Sequence, residues 1–411
     1  MTSAWKNGTG SGRLRLCRIV TVPGTFQTLL WEQLRCIAAH DVDLTLVSSP
    51  GPELALVAND VGARAVSVPM ERKPAPLADL RSLLRLTSFL RRNRFDIVHS
   101  ATPKAGFLTA CAGRMARIPI RLHTFTGQPW VELKGLKRRI PRACDAITAK
   151  LTTQCYADSR SQRDFLIQEG LVAPEKIAVV GAGSISGVDL KRFSLEVWGG
   201  RHSSQTRSEL GIPANGLVII FVGRVTKDKG ITELLTAFEK IAERNLEVHL
   251  VLVGPFEPEQ DALPALTMDR LKRNSRIHCI GFCAAPERFL AAADIFCLPS
   301  YREGFGSVVV EAGAMELPAV VTRVTGLVDT VAEGETGLIV PAKSVGELAQ
   351  ALQTLLDSKA LRTSLGRAAR QRVVQSFDCQ LINEAVVEQY FRLLNIDGGD
   401  HKGRIDLLGR L

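Results

Sequence analysis

Short apolar segments alternate with amphipathic segments along almost the whole chain, and this order restricts the fold more than any other feature of the sequence. The apolar segments have the length of buried strands, and the segments between them have helical spacing. A repeated strand–helix–strand order predicts a parallel sheet covered by helices on both faces. We therefore predict an α/β protein, in which the first strands are "LCRIVTV", "DLTLVSS", "RAVSVPM", "FDIVHSA" and "IRLHTFTG".

The alternation is interrupted once and then resumes. Residues 181–215 are rich in Gly, Ser and polar side chains, as linkers are. A second series follows, with "LVIIFVG", "VHLVLVG", "DIFCLPS" and "PAVVT" as strands. The pattern predicts two doubly wound, Rossmann-like domains, over 14–190 and 191–377. Since ligands of such sheets bind at the carboxyl ends of the strands, we expect the two domains to face each other across a cleft.

The two ends of the chain are interpreted differently from the domains. Residues 1–13 contain no apolar signal-peptide core and are interpreted as a disordered tail. Residues 378–411 are interpreted as a helix followed by a tail, and packing of this helix back on the first domain is left open. No apolar run approaches the ~20 residues that span a bilayer. The nine scattered cysteines favour reduced, buried thiols in the cytoplasm.

Positive charge is concentrated in the first half of the chain. The net charge is +10, but residues 1–190 hold 26 basic and 15 acidic residues, whereas residues 191–411 hold 26 and 27. A basic half suggests a face that meets phosphates or anionic lipid. Two basic clusters fit a membrane surface or, alternatively, an ordinary solvated face. They are "LRSLLRLTSFLRRNR" and "VELKGLKRRIPR", the second with Lys134, Lys137, Arg138, Arg139 and Arg142.

The segment "FVGRVTKDKG" follows the first strand of the second domain. Gly223 lets the chain turn, and Arg224 and Lys229 then stand five residues apart before a helix. Two cations beside a helix N-terminus at the carboxyl end of a strand suit a diphosphate. The alternative interpretation is a solvated turn.

The segment "REGFGSVVVEAGA" combines two carboxylates with flexible backbone. Glu303 follows a strand, and a helix is expected to begin near Gly306, with its N-terminal amides directed at a phosphate or sugar hydroxyls. Glu311 then falls about one and a half turns into that helix, where its carboxylate can accept hydrogen bonds from the hydroxyls of a ribose. Alternatively, both glutamates merely lie near a helix start.

Two segments of the first domain are further candidates. His123, in "IRLHTFTGQPW", ends a predicted strand and is interpreted as facing the cleft or, alternatively, as a structural histidine. Gly24 and Thr25 lie in the first strand-to-helix loop, "TVPGTFQTLL". Since this loop lacks the GxGxxG pattern, a dinucleotide site of the usual kind is not supported.

Taken together, these segments resemble the retaining glycosyltransferases of family four, which have the GT-B fold, over residues 14–395. The E-x7-E motif of that family is matched by "EGFGSVVVE", its phosphate loop by "GRVTKDKG", and its N-domain histidine by His123. "VTGLVDTV" and "GETGLIVP" match further family segments. The N-terminal half is most similar to transferases of capsule, exopolysaccharide and O-antigen assembly. "VPGTF" departs from the paired glycines that many members have in this loop.

The resemblance implies a sugar transfer from a nucleotide sugar, expected to be UDP-linked, to an undecaprenyl-diphosphate-linked saccharide at the cytoplasmic face of the inner membrane. It implies catalytic roles for His123, Arg224, Lys229 and Glu303, and a ribose contact for Glu311. The other expected donor contacts are Gly24, Thr25, Gly223, Gly281, Phe282, Gly304, Phe305, Gly306, Ser307 and Val308.

No metal ion and no cofactor are expected, because cations and helix amides already offset the phosphates. An epimerase or a phosphorylase on the same fold is the enzymatic alternative. A nucleic-acid-binding protein is disfavoured, because no nucleic-acid motif is found and aromatic residues make up only 6%.

Overall fold

The structure is a computed structural model, and it describes residues 13–257 and 261–397. The predicted tails, apart from Arg13, lie outside the described residues. Every strand pair is parallel. The first sheet contains β1 (Leu14–Ile19), β2 (Val42–Ser48), β3 (Arg64–Ser67), β4 (Ile97–Ala101), β5 (Ile120–Phe125), β6 (Gln154–Ala157) and β7 (Ile177–Val179). The second contains β8 (Leu217–Val222), β9 (Val248–Val253), β10 (Ile277–Gly281), β11 (Ile295–Leu298), β12 (Ala319–Thr322) and β13 (Gly337–Val340).

Helices connect the strands, as the parallel order requires. In the first half they are α1 (Trp31–Ala38), α2 (Pro52–Asp60), α3 (Pro76–Asn93), α4 (Pro103–Met115), α5 (Gly135–Leu151) and α6 (Arg160–Gln168). They continue as α7 (Leu195–Trp198), α8 (Arg201–Glu209), α9 (Ile231–Ala242), α10 (Ala265–Arg273), α11 (Glu287–Leu290), α12 (Ser307–Ala314), α13 (Leu327–Thr330), α14 (Val345–Asp357), α15 (Lys359–Ser376) and α16 (Cys379–Asp397). Short 3-10 turns cover Pro174–Lys176 and Lys227–Lys229, and a π-helical segment, Phe26–Leu30, precedes α1.

The strand order shows where each sheet changes direction. The first sheet runs β3-β2-β1-β4-β5-β6-β7, and the second runs β10-β9-β8-β11-β12-β13. In each sheet, the second and third strands are added on one side of the first strand, which is β1 or β8. The chain then returns to the other side of that strand, and the remaining strands are added there in the opposite direction. The loops after β1 and β4, and those after β8 and β11, therefore diverge and leave a crevice at the carboxyl ends of the strands. The prediction of two doubly wound parallel sheets is confirmed.

The chain divides into two compact units, and the first is discontinuous. Of the described residues, those up to Gly187 and from Cys379 onward belong to the first unit, and those from Val188 to Asp378 belong to the second. Within the first unit, α16 packs against α1 and places Val386, Val387, Tyr390 and Leu394 in the core. The segment that the sequence indicates as a linker is only partly irregular, because it contains α7 and α8.

A buried polar network joins α16 to the first sheet. The Arg18 guanidinium is 1% exposed and donates to the Tyr390 hydroxyl (2.7 Å) and to Gln33 Oε1 (2.8 Å). The His99 ring lies in the middle of β4, with Nδ1 2.7 Å from the Tyr390 hydroxyl and Nε2 2.8 Å from Thr124 Oγ1. Burial, reinforced by the Arg18 charge, lowers the pKa of His99 well below its ordinary value. His99 is therefore a neutral structural residue.

Asp158, directly after β6, is a buried acid that lacks full hydrogen bonding. It is 6% exposed, and its Oδ1 has no hydrogen-bond partner among the described residues. It lines a cavity of about 20 Å³ together with His99, Tyr156 and Tyr390. Burial raises the pKa of Asp158 to about 8, because the low-dielectric surroundings disfavour the charged form.

Asp158→Asn is expected to raise the thermal unfolding midpoint more at pH 9 than at pH 5. In the unfolded chain the carboxyl ionises near its ordinary pKa of 3.8, whereas the folded protein retains the proton up to about pH 8. Between these two pKa values the folded state binds more protons than the unfolded chain, so the stability of the wild type falls as the pH rises. Asn carries no titrating proton, so the variant does not lose stability in this way. Asp164→Asn, on the exposed face of α6, is the control. Equal midpoint gains at both pH values would contradict the prediction.

Candidate active site

The switch point of the second sheet brings together the two motifs that the sequence singles out. β8 and β11 are neighbours in the sheet, although α9, β9, α10, β10 and α11 separate them in the chain. The loop after β8 (223–230) therefore touches the loop after β11 (299–306). A Cβ on Gly230, whose φ is +71°, would lie 2.1 Å from the Pro299 carbonyl oxygen. This contact requires glycine at position 230, both for its left-handed backbone and for its lack of a side chain.

The charged residues of these two loops form ion pairs. The Lys229 ammonium contacts Glu303 Oε1, and both side chains are about 15% exposed (14% and 15%). Arg224 lies 3.5 Å from Asp228 Oδ2 and 3.3 Å from Glu257 Oε2. Lys229 and Glu303 thus meet as the strand order requires, whereas the acidic neighbours of Arg224 were not identified from the sequence.

Asp228 holds the cations of the first loop in place. Its Oδ1 accepts a hydrogen bond from the Thr226 hydroxyl at 2.6 Å, and its Oδ2 lies 3.0 Å from Arg302. Burial would raise the pKa of Asp228, but the Thr226 hydrogen bond and the charges of Arg302, Lys229 and Arg224 together lower it below the ordinary value. The carboxylate therefore stays ionised, and the cations remain gathered at the carboxyl ends of β8 and β11.

The backbone of 304–306 is arranged to present amides. Phe305 is 3% exposed, and its ring packs on Phe377 at a centroid distance of 5.3 Å. Its side chain therefore anchors the loop in the core. Gly306 has a φ of +86° and precedes α12, whose first amides, from Ser307 onward, lack partners within the helix. The expected helix start near Gly306 is confirmed, and these amides provide a local positive potential.

Glu311 occupies a different electrostatic setting from Glu303. It lies in α12, is partly exposed, and is close to Arg192, which binds Glu287 through contacts of 3.0 and 3.1 Å. Burial raises the pKa of Glu311 to about 7; the Arg192 charge opposes this shift and the Glu287 charge adds to it. Glu311 therefore changes its protonation state close to neutral pH.

Glycines end three neighbouring strands of the second sheet. Gly223, Gly254 and Gly281 follow or end β8, β9 and β10, and their φ values are +148°, +144° and +77°. A Cβ on Gly254 would lie 1.8 Å from the Gly223 carbonyl oxygen, so the strand ends approach too closely for any side chain there. Gly254 is not among the residues predicted from the sequence, although its position after "VHLVLV" resembles that of Gly223. Phe282, beyond β10, is 72% exposed.

His123 is buried within the first unit. It is 1% exposed, its Nδ1 lies 3.0 Å from the Ser100 hydroxyl, and its ring packs edge-on against Phe125 at 4.5 Å. Gly106 leaves room for the ring, because a Cβ there would lie 2.3 Å from His123 Cε1. Burial lowers the pKa of His123 to about 3, although the hydrogen bond with Ser100 opposes this shift. The imidazole is therefore neutral at physiological pH and suits hydrogen bonding better than charge stabilisation.

Gly24 and Thr25, expected in a loop, form a helical turn after β1 that leads into the π-helical segment, at the switch point of the first sheet. A Cβ on Gly24 would meet no atom within 4 Å, so this backbone is accessible. Nearby, the Thr21 and Thr102 hydroxyls are 2.8 Å apart, and Thr102 has a φ of +76°, which is rare for a β-branched residue. Thr21 and Thr102 could not be predicted from the sequence, because no local pattern distinguishes them from other threonines.

Two family models together match most of the chain. The model described as "Glycosyl transferase 4-like domain" matches residues 24–183, and the model "Glycosyl transferases group 1" matches residues 203–372. The first match falls within the first unit and the second within the second unit.

Several known proteins are similar to this chain over most of their length. The capsular polysaccharide biosynthesis glycosyltransferase CapM of Staphylococcus aureus is 31% identical over 94% of this chain and 99% of its own. The UDP-Gal:α-D-GlcNAc-diphosphoundecaprenol α-1,3-galactosyltransferase of Escherichia coli is 26% identical over 86% and 89%. The crystal structure of Anabaena HepE in complex with UDP and glucose superposes with a TM-score of 0.77 at 19% identity, over 92% and 100% of the two chains.

Proposed function

Since the chain belongs to the family-four glycosyltransferases and has their GT-B fold, we propose that it transfers a sugar from a UDP-sugar to a lipid-linked saccharide during surface polysaccharide assembly, with retention of configuration. Hexoses and N-acetylhexosamines are the donor sugars that we propose. The observation that carries the proposal is the ion-paired cluster at the β8–β11 switch point, where Lys229 contacts Glu303.

Each residue of the cluster has a role in this reaction. Arg224 and Lys229 bind the donor diphosphate and stabilise the charge that develops on the departing UDP. Glu303, oriented by Lys229, accepts hydrogen bonds from the donor sugar, and the amides of 304–308 bind the sugar and the β-phosphate. Glu311 accepts hydrogen bonds from the ribose hydroxyls, and Gly281 and Phe282 border the base.

Configuration is retained because the acceptor oxygen attacks the anomeric carbon on the same face of the sugar from which the diphosphate leaves. The bond from the anomeric carbon to the phosphate oxygen breaks, the bond to the acceptor oxygen forms, and the acceptor proton moves to a phosphate oxygen of UDP. Gly24 and Thr25 supply accessible backbone, and neutral His123, which is 1% exposed, is proposed to support the donor-sugar site from within the first unit. We propose that no metal ion takes part, because two side-chain cations and the helix amides supply the charge stabilisation that a metal would otherwise provide.

The nature of the acceptor is inferred from two lines of support. The Escherichia coli relative acts, by its name, on a diphosphoundecaprenol-linked saccharide, and CapM is named for capsular polysaccharide biosynthesis. An undecaprenyl-diphosphate-linked acceptor resides in a membrane, so the enzyme must work at the cytoplasmic membrane surface. Among the described residues, no helix combines the length and apolar composition needed to cross a bilayer. We propose peripheral attachment through the exposed apolar and basic residues of α3 and α5.

Helices α3 and α5 supply a suitable surface. Both pack against α4. On α3, Leu77, Leu80 and Leu84 form an exposed apolar stripe at helical spacing, and Leu136 and Ile140 do the same on α5. Exposed basic residues flank the stripes, among them Arg81, Arg85, Lys134, Lys137 and Arg139. Arg138 and Arg142 contribute less than expected to this surface, because both bind Glu169 at 3.3 and 3.1 Å.

Leu77→Ser combined with Leu136→Ser is expected to reduce co-sedimentation with anionic liposomes at least several-fold. The two leucines are 77% and 71% exposed, and in the wild type their apolar side chains would insert below the lipid headgroups. The wild type should also release from liposomes in about 0.5 M salt, because screening weakens the basic contacts. Leu246→Ser combined with Leu266→Ser, at 77% and 69% exposure in the second unit, is the matched control. No sedimentation of the wild type at low salt would contradict membrane attachment.

A panel of nucleotide sugars, tested with an undecaprenyl-diphosphate-linked saccharide, examines the proposed activity directly. UDP release that requires both one UDP-sugar and the lipid-linked acceptor is the expected result, with an α-linked product by NMR. Conversion of UDP-N-acetylhexosamine to an epimer without acceptor would instead favour an epimerase. The absence of UDP release from every UDP-sugar, or turnover only of a donor that carries another nucleotide, would contradict the donor assignment.

A further inference from the structure

Three side chains with metal-binding atoms come together in the first unit, whereas the β8–β11 cluster belongs to the second. Cys36 lies in α1, His40 follows the end of that helix, and Glu384 lies in α16. One ligand atom from each residue lies within 4.8 Å of the others. Cys36 Sγ is 3.6 Å from Glu384 Oε1, and His40 Nε2 is 3.3 Å from Glu384 Oε2. All three belong to the same compact unit.

In a tetrahedral zinc site the ligand atoms lie about 3.3–3.6 Å from one another. The thiol here faces Oε1 and the imidazole faces Oε2 of one carboxylate, and one ligand atom from each side chain lies within 4.8 Å of the others. A small rotation of the exposed Glu384 side chain would therefore allow one Zn²⁺ to bind all three. A thiolate, an imidazole and a carboxylate form a ligand set that favours Zn²⁺ over Mg²⁺ or Ca²⁺. Cys36 and His40 are four residues apart, which brings both to the same side of a helix end.

The hydrogen bonding of His40 favours a cation at this position. His40 Nδ1 lies 2.9 Å from the Cys36 carbonyl oxygen, which can only accept a hydrogen bond, so Nδ1 carries a proton. In a neutral imidazole, Nε2 then directs its lone pair toward the Glu384 carboxylate, and two acceptors would face each other. A metal ion removes this conflict, and a backbone partner for the second ring nitrogen is usual among metal-bound histidines. Protonation of His40 to form an ion pair with Glu384 is the competing explanation.

We propose that Cys36, His40 and Glu384 form a Zn²⁺ site that links α1 to α16, with water as the fourth ligand. Binding displaces the Cys36 thiol proton to solvent and forms the Zn–S, Zn–N and Zn–O bonds. Since α1 and α16 pack together in the core of the first unit, the ion stabilises the attachment of the last helix. The site contains no residue assigned to the donor.

Titration of the purified full-length protein with Co²⁺, after removal of bound metal by a chelator, tests the site. One Co²⁺ per chain should bind, with a thiolate-to-cobalt charge-transfer band that Zn²⁺ abolishes by competition. Cys36→Ser should abolish the band, and His40→Asn should weaken Co²⁺ binding at least about 100-fold, since removing a ligand costs more than removing its supporting partner. Zn²⁺ should raise the thermal unfolding midpoint of the wild type and of neither variant.

Cys279→Ser and His278→Asn, in β10, are the matched controls, because they change a thiol and an imidazole elsewhere in the chain. Both should retain the band and the Zn²⁺-induced shift of the midpoint. A band that persists in Cys36→Ser, or one that is lost in Cys279→Ser, would overturn the proposal. The absence of any cobalt band in the folded wild type would also overturn it and would favour the His40–Glu384 ion pair.

Discussion

Replacing Arg224 and Lys229 together by alanine is expected to lower the rate of sugar transfer more than about 1000-fold, because the loss of one preorganised donor alone typically costs 100- to 1000-fold. Both side chains lie at the switch point of the second sheet, where a donor diphosphate would bind. The charge on the departing UDP would then have only helix amides to stabilise it. UDP release in the presence of a lipid-linked acceptor is the measurement, with circular dichroism to verify that the fold persists.

Lys227→Ala is the matched control for this experiment. Lys227 belongs to the same 3-10 turn as Lys229 but is exposed to solvent, so its loss should change the rate little. A double variant that folds and retains more than about a tenth of the wild-type rate would contradict the assignment of the diphosphate to this loop. A rate loss of the same size in Lys227→Ala would show that the net positive charge of the loop, rather than the placement of Arg224 and Lys229, is responsible.

Glu311→Gln is expected to weaken UDP binding about 10- to 100-fold at pH 8, since hydrogen bonds to a charged acceptor contribute about 1.5–3 kcal/mol. The pKa of Glu311 is raised to about 7, so the carboxylate is ionised above that pH and becomes protonated below it. Wild-type affinity for UDP should therefore fall as the pH decreases from 8 to 6. The glutamine variant should lack the pH dependence that Glu311 causes. The difference between the two proteins therefore separates the contribution of Glu311 from the titration of UDP itself.

Isothermal titration of UDP into the wild type and variants at pH 6, 7 and 8 provides the measurement. Glu347→Gln, on the exposed side of α14, is the control and should behave as the wild type. Glu303→Ala offers a contrast, because its loss should chiefly lower turnover and leave UDP affinity nearly unchanged. If Glu311→Gln binds UDP as tightly as the wild type at pH 8, the ribose assignment is wrong.

The sequence alone predicts the parts of the molecule that depend on local pattern. Strand–helix alternation identifies both parallel sheets, and the glycine before Ser307 marks the start of α12 correctly. The meeting of Lys229 with Glu303 follows once β8 and β11 are understood to be neighbours, because doubly wound sheets return to the first strand.

Other features depend on long-range packing that no local pattern encodes. Glu257 approaches Arg224 from the loop after β9, and Glu169 binds Arg138 and Arg142 from beyond α6. α5 continues through Pro141, where a proline by itself would favour a kink or a break. The raised pKa of Glu311 depends on burial and on Arg192 and Glu287, which are far away in sequence.

The discontinuous first unit has a consequence for how the protein is made. A ribosome completes residues 188–378 as one uninterrupted stretch before α16 emerges, so the second unit has all of its chain available first. The first unit, although begun earlier, lacks Tyr390 and the apolar side chains of α16 until that helix has been synthesised. Its core therefore closes last, and a nascent or truncated chain without α16 exposes apolar surface that chaperones and proteases recognise.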